Sequence, residues 1–353
     1  MHYSARVLYI LPLLLASCAT DTSSFSTATG NTSDYSAFLD NAKPAPPLRG
    51  SITRSQATRH ALTYSPVLQA QRAELRALEA EIIQAGLPPN PEIGFEVENF
   101  AGSGGTRGFD GAEITAAISQ RLETGGKRSK RTLVAGLEAE ALRAQIAAEE
   151  REVRIAVDRA FTTLAEAREV RTLSERNLER AEDNLNALES LLDAGKSSRI
   201  DVAKAKLAVS KSRELIAEAR SEESTAAADL SRTWGGGAAD VTASGSLNSP
   251  SGGSPIAGES ALKRHPAMKA AALRFARAQA AYDLEKARRF SDVDVGGGVR
   301  QLRDADVTAA VVGVSVPLPI FDRNQGNIQA AQERLGRAEA EARATKSELL
   351  SQL

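Results

Sequence analysis

The sequence predicts a mainly α-helical protein with a small β part: long antiparallel coiled-coil hairpins plus four β-strands per chain. Three observations predict it. Residues 127–192 run for 66 positions with no proline and one glycine, Gly136, which as a helix spans roughly 99 Å at 1.5 Å per residue. Leu178, Ala181, Leu185, Leu188 and Leu192 step by three and four, as do Val202, Ala205, Val209, Ser212, Ile216 and Ala219 beyond a short turn; that is the spacing of a coiled-coil seam. Finally, the chain repeats itself at long range. Composition agrees, with only 4% aromatic residues and a predominance of Ala, Leu, Glu, Arg and Lys.

Taken in order, Met1 to Arg6 is weakly basic and Val7 to Ala16 is an apolar run of ten, too short to span a bilayer as a helix but suited to a secretory signal. It ends in Leu15-Ala16-Ser17-Cys18, which resembles a bacterial lipobox, and Cys18 is the only cysteine. Residues 1–17 therefore read as a lipoprotein signal peptide and Cys18 as the acylated mature N-terminus. Ala19, where aspartate would otherwise retain such a protein, resembles lipoproteins sorted to the outer membrane. Acyl chains anchor without spanning. Residues 18–50, rich in Ser, Thr, Asn and Pro, read as a flexible tether.

The repeat follows. Ala61-Leu62 and Ser65-Pro66 recur as Ala261-Leu262 and His265-Pro266 at an offset of 200, and Ile118 to Leu122 meets Val314 to Leu318 at 196. Such a period means one structural unit used twice, here helix, two strands, long helix. The first copy is placed at 51–240, a Gly/Ser/Pro linker at 241–258, and an incomplete second copy at 259–353. A helix is expected over 52–86, stopped by Gly86 and Pro88-Pro89. Asp193 to Arg199 reads as the turn of an antiparallel hairpin.

The strands alternate. Ile93, Phe95 and Val97 oppose Glu92, Glu96 and Glu98; Val293, Val295 and Val299 oppose Asp292, Asp294 and Arg300. Their partners are expected at 112–122 and 307–318, with Val312, Val314 and Val316 on one face. Strands of this length, apolar outside and polar inside, suit a transmembrane barrel, although a half-buried soluble sheet alternates in the same way. Four strands cannot close a barrel, and open edges are not tolerated in lipid, so spanning strands require chains to share one barrel. Ile93, Phe95, Val97, Val293 and Val295 are then the lipid-facing candidates, and Glu96, Glu98 and Asp294 the lumen-facing ones.

These features together resemble the TolC family of outer-membrane efflux channels. The resemblance is carried by Asn90-Pro91-Glu92, Glu96 to Phe100, Ser119 to Arg128, Ala194 to Val202, His265-Pro266 and Val316 to Asn324. The first block and Gly125-Gly126-Lys127-Arg128 look most like the heavy-metal efflux branch. The family implies a homotrimer whose chains share a 12-stranded barrel on a periplasmic helical tunnel, with tips that meet a periplasmic adaptor coupled to an inner-membrane pump. On that basis Gly195, Lys196, Ser197, Ser198, Arg199, Ile200 and Asp201 are the candidate adaptor contact. Leu353 aligns with Val157 of the first copy, so about 76 further residues, including a second hairpin and the acidic constriction carried on it, are expected beyond this sequence.

Other chemistry finds little support. A net charge of −1 disfavours a nucleic-acid partner. Gly102 to Gly108 lacks the Gly-Lys-Ser/Thr of a phosphate loop, since Gly126-Lys127 is followed by Arg128. His60 and His265 sit at nearly equivalent repeat positions, not in one site, and His2 lies in the signal, so no metal site is expected. Asp193 and Asp201 bracket the turn, where helix-end chemistry accounts for them more simply than cation gating. No catalytic set stands out and no cofactor is implied. The expected function is a passive exit duct for small substrates or metal ions. The alternative is a lipid-anchored periplasmic scaffold or adaptor, which would bury the Ile93/Phe95/Val97 face in protein.

Overall fold

The expected helix over 52–86 is two helices with a strand before them. The computed structural model describes residues 45–236, 240–244, 262 and 264–351, which apart from Ala45 belong to one unit, Pro46–Leu353. In it, Gly50–Ile52 forms strand β1, Arg54–Tyr64 helix α1 and Pro66–Gly86 helix α2. Ile52 is buried in strand pairing instead of opening a helix. Thr53 then caps α1 through a capping box with Gln56. Pro66 breaks the run because it has no N–H to offer a preceding turn and is tolerated only where a helix starts.

Strand β1 pairs in parallel with β4, Val241–Ala243, lying in the stretch read as the start of a linker. Three-residue strands some 190 positions apart leave no periodic signal. The pair is held by Gly50 donating its N–H to the Asp240 carbonyl at 2.7 Å and by Arg168 donating to the Ala243 carbonyl. The rest of the expected linker, 245–258, lies outside the described residues.

The long helix α3 spans Lys127–Asp193, 67 residues, or about 100 Å. Its first half packs between α2 and α5 (Pro266–Arg288), and its second half pairs with α4 (Arg199–Arg232). Alanines at 139, 141, 144, 165 and 167 are buried, small enough to let helices approach closely. In the hairpin the seam positions Val202, Ala205, Val209, Ile216 and Ala219 are buried. Beside them Lys206–Glu189 (2.9 Å), Arg213–Glu182 (2.9 Å) and Arg220–Glu175 (3.5 Å) pair, each seven-residue step on one helix answered by seven on the other. Each exposed pair contributes roughly 0.2–1 kcal/mol, so they set register more than stability. Helix α6, Gln325–Ser351, packs on α5.

Pro66 and Pro266 each open a helix, α2 and α5. The two histidines are not equivalent, however. His265 occupies the repeat position of Ser65, capping α5 by accepting the Ala267 N–H at its Nδ1, 3.2 Å away. His60 lies inside α1 between Tyr64 and Trp234, with ring centroids at 4.6 and 5.3 Å.

Strands β2 (Glu92–Glu98), β3 (Glu113–Leu122), β5 (Val293–Leu302) and β6 (Val307–Ser315) form one antiparallel sheet in the order β2-β3-β5-β6. Strand β6 ends at Ser315, short of the expected 318, because Pro317 and Pro319 cannot donate to a ladder; Val316 therefore lies beyond the strand. No described helix is long and apolar enough to cross a membrane.

Candidate functional site

The register sorts the sheet into two faces. Ile93, Phe95 and Val97 oppose Ile118, Ala116 and Ile114. The last three oppose Gly297, Val299 and Gln301, with Gln120 and Leu122 opposite Val295 and Val293, and Val295 and Gly297 oppose Val314 and Val312. All five candidate lipid-facing residues thus share one face with Val299, Val312 and Val314. That face is open: Phe95 is 79% exposed, Ile93 71% and Val312 80%.

The opposite face carries Glu92, Glu96, Glu98, Glu113, Thr115, Arg121, Asp294 and Arg300. The candidate lumen-facing residues Glu96, Glu98 and Asp294 therefore also share a face. Arg300 contacts Glu98 at 3.3 Å and Glu113 at 3.0 Å and donates to the Thr115 hydroxyl at 2.9 Å. Arg121 pairs with Asp294 at 3.0 Å. Glu92 and Glu96 have no ion pair among the described residues. Gly298 lets β3 and β5 meet on this face. A Cβ there would lie 2.2 Å from the Ala116 carbonyl oxygen, a backbone clash that no rotamer relieves.

At the far end of the hairpin, Gly195 adopts φ +71°. Its N–H donates to the Leu192 carbonyl at 2.9 Å, and that of Lys196 to Leu191 at 2.7 Å. This is a Schellman closure, which needs a left-handed residue. Ser198 then caps α4: its hydroxyl accepts the Asp201 N–H at 3.2 Å, while the Asp201 carboxylate accepts from the Ser198 hydroxyl at 2.6 Å and N–H at 3.3 Å. Those bonds, the hydroxyl first, hold the Asp201 carboxyl below its ordinary range. The seven tip residues are contiguous, but Arg199, Ile200 and Asp201 are the first turn of a helix, not part of the loop. Ile200 is 67% exposed.

The family model described as "Outer membrane efflux protein" matches residues 57–236 and 257–353. The chain belongs to that family. The cobalt-zinc-cadmium resistance protein CzcC of Cupriavidus metallidurans is 31% identical over 288 residues, covering 81% of this chain and 67% of that protein. The nickel and cobalt resistance protein CnrC of the same organism is 31% identical over 307 residues, covering 86% and 70%. Among solved structures, CusC overlays with a TM-score of 0.66 at 18% identity, covering 84% of this chain and 72% of the other. The Campylobacter jejuni CmeC outer membrane channel overlays at 0.67 and 13%, covering 84% and 68%. These last two likenesses speak for the fold. This efflux-family protein is accordingly an outer-membrane protein with a periplasmic helical domain.

In this efflux protein the sheet is bolted to the helices by pairings that no local sequence pattern shows. Lys127, at the start of α3, is buried and its Nζ lies 2.6 Å from Asp292 Oδ1, which also accepts the Thr124 N–H at 2.9 Å. Burial alone would raise the Asp292 carboxyl; the Lys127 ammonium and the Thr124 N–H outweigh it and hold the carboxyl below its ordinary range. Arg131 grips Glu123 with two nitrogens at 2.6 and 3.2 Å and donates to the Ala85 and Leu87 carbonyls at the end of α2. Asn324 donates to the Glu285 carbonyl and carboxylate at 2.8 and 2.7 Å. Each sheet–helix junction is thus tied to a neighbour. The signal was present in Gly125-Gly126-Lys127-Arg128, but its partner Asp292 is 165 residues away.

Cys18 lies outside the described residues, as does most of the expected tether. Among the described residues no cluster of three or more His, Cys, Asp or Glu side chains is placed to hold a metal.

Proposed function

We propose that this chain is the outer-membrane exit duct of a tripartite efflux system, passing small substrates without catalysing a reaction. The observation that carries the reading is the four-stranded sheet: one face apolar and exposed, the other charged and cross-paired, and two unpaired edges, β2 and β6. The four strands alternate in direction. The β6 edge of one copy therefore meets the β2 edge of the next antiparallel, and a ring of identical contacts closes without leaving an edge. Three copies give 12 strands, an even number within the range of membrane barrels. A scaffold would have to cover the apolar face with protein.

In this reading Ile93, Phe95, Val97, Val293 and Val295 face lipid, and Glu96, Glu98 and Asp294 face the lumen. Cys18 carries an acyl anchor. The tip, Gly195 to Asp201, meets a periplasmic adaptor coupled to an inner-membrane pump. Relatives named for cobalt, zinc, cadmium and nickel resistance support divalent metal ions as the cargo. The test is metal accumulation in cells lacking the gene and in cells complemented with it, alongside crosslinking of the purified protein. Elevated cobalt, zinc or nickel in the deletion strain and a trimeric crosslinked species are expected. Unchanged accumulation of every metal and antibiotic tried, with a monomer, would overturn the duct.

A further inference from the structure

The sheet–helix boundary concentrates positive charge where helix physics disfavours it. Lys127, Arg128, Lys130 and Arg131 all fall in the first five residues of α3, whose first turn holds no acidic residue, although a helix N-terminus repels cations. Lys127 and Arg131 are neutralised by Asp292 and Glu123. Arg128 and Lys130 have no carboxylate partner among the described residues. Neither do Arg289, just past α5, whose guanidinium lies 4.8 Å from the Phe290 ring centroid, and Arg323, which donates to the Pro319 carbonyl at 3.2 Å. Asp322, beside Arg323, accepts the Asn324 N–H at 2.8 Å and makes no ion pair among the described residues.

These cations belong to one rim. Thr124 bonds Ser291 and Asp292 across it, a Cβ on Gly125 would lie 3.4 Å from the Phe290 ring, and Asn324 reaches back to Glu285. The rim also exposes apolar side chains: Phe290 is 49% exposed, Phe321 90% and Leu122, at the end of β3, 51%. Apolar surface beside unpaired cations is the pattern that anionic lipid headgroups complement.

We propose that Arg128, Lys130, Arg289 and Arg323 form a collar that binds the headgroups of anionic phospholipids in the periplasmic leaflet, with Phe290 and Phe321 seated among the acyl chains. The collar fixes the depth at which the sheet sits. This rests on the proposed reading that the apolar sheet face lies in lipid.

The test is native mass spectrometry of the full chain, extracted in detergent and offered an equal mixture of phosphatidylglycerol and phosphatidylcholine. The wild type is expected to retain phosphatidylglycerol preferentially. Arg128→Gln/Lys130→Gln, and separately Arg289→Gln/Arg323→Gln, should each lower that preference roughly thirtyfold, while Lys211→Gln on the hairpin leaves it unchanged. Equal retention of both lipids by the wild type, or an unchanged preference in both double variants, would overturn the collar. So would displacement of the lipid by inorganic phosphate at equal concentration, which assigns the site to a free anion. Flotation with phosphatidylcholine vesicles separates the two readings. A chain that enters no bilayer contradicts the lipid-facing sheet as well, whereas one that inserts but shows no headgroup preference contradicts the collar alone.

Discussion

Lys127 Nζ lies 2.6 Å from Asp292 Oδ1, joining the start of the longest helix to the entrance of β5. The pair is mostly shielded, with side-chain exposures of 11% and 25%. Removing one partner therefore strands a partly buried charge, an effect of about 2 kcal/mol for hydrogen bonds to charged groups. Asp292→Asn is expected to lower the thermal stability of the folded protein and to expose the β3–α3 junction to protease, with the hairpin far from the junction unaffected. Differential scanning fluorimetry and limited proteolysis check it.

The same pair sets a pH dependence. The folded Asp292 carboxyl is held below its ordinary value, so its contribution is fully present above the unfolded carboxylate range near pH 4 and fades as pH falls through the lower folded value. Wild type should therefore lose stability relative to Asp292→Asn only in acid, the two melting curves converging below about pH 4 and remaining separated at neutral pH.

Gly298 makes a sharper steric test. A Cβ would sit 2.2 Å from the Ala116 carbonyl oxygen, whereas at Gly313 in the same sheet it would meet nothing within 4 Å. Gly298→Ala should weaken the β3–β5 pairing and reduce the yield of folded protein in the outer-membrane fraction. Gly313→Ala should be tolerated. Equal yields would mean that the two central strands separate without cost.

Much of this was legible in the chain. The seam residues Val202, Ala205, Val209, Ile216 and Ala219 declare themselves because a coiled coil is a local, periodic object, and the alternation of Ile93, Phe95 and Val97 fixes a face for the same reason. What was not legible depends on contacts between distant positions. Strands β1 and β4 are three residues each and exist only through pairing. Lys127 and Asp292 meet across 165 residues. The break at Ser65-Pro66 was readable from Pro66, but periodic apolar positions on both sides masked it. The hairpin turn lies where the periodicity stops, between Asp193 and Arg199, but the capping box that makes Ser198 and Asp201 a helix start depends on side-chain geometry that spacing alone does not show.

That capping box changes how the tip is tested. Ser198→Ala removes a capping box and should cost about 1 kcal/mol locally, so a loss of adaptor contact there would mix folding with recognition. Lys196, Arg199 and Ile200 are exposed and do not cap. Arg199→Glu with Ile200→Ser is expected to reduce crosslinking to the periplasmic adaptor several-fold, with trimer assembly and α4 helicity preserved. Unreduced crosslinking in that variant would move the adaptor contact away from the tip.

The orientation of the sheet is the claim on which the duct rests, and arginine substitution of two adjacent residues tests it most directly. Phe95 and Glu96 are neighbours on β2 facing opposite ways, and neither takes part in an ion pair among the described residues. An arginine in lipid near the midplane costs roughly 2–4 kcal/mol, and one in a water-filled lumen does not. Insertion into the outer membrane, measured by fractionation of equally expressed variants, should fall strongly for Phe95→Arg and stay near wild type for Glu96→Arg. Equal insertion of the two variants, or the reverse order, would contradict the account.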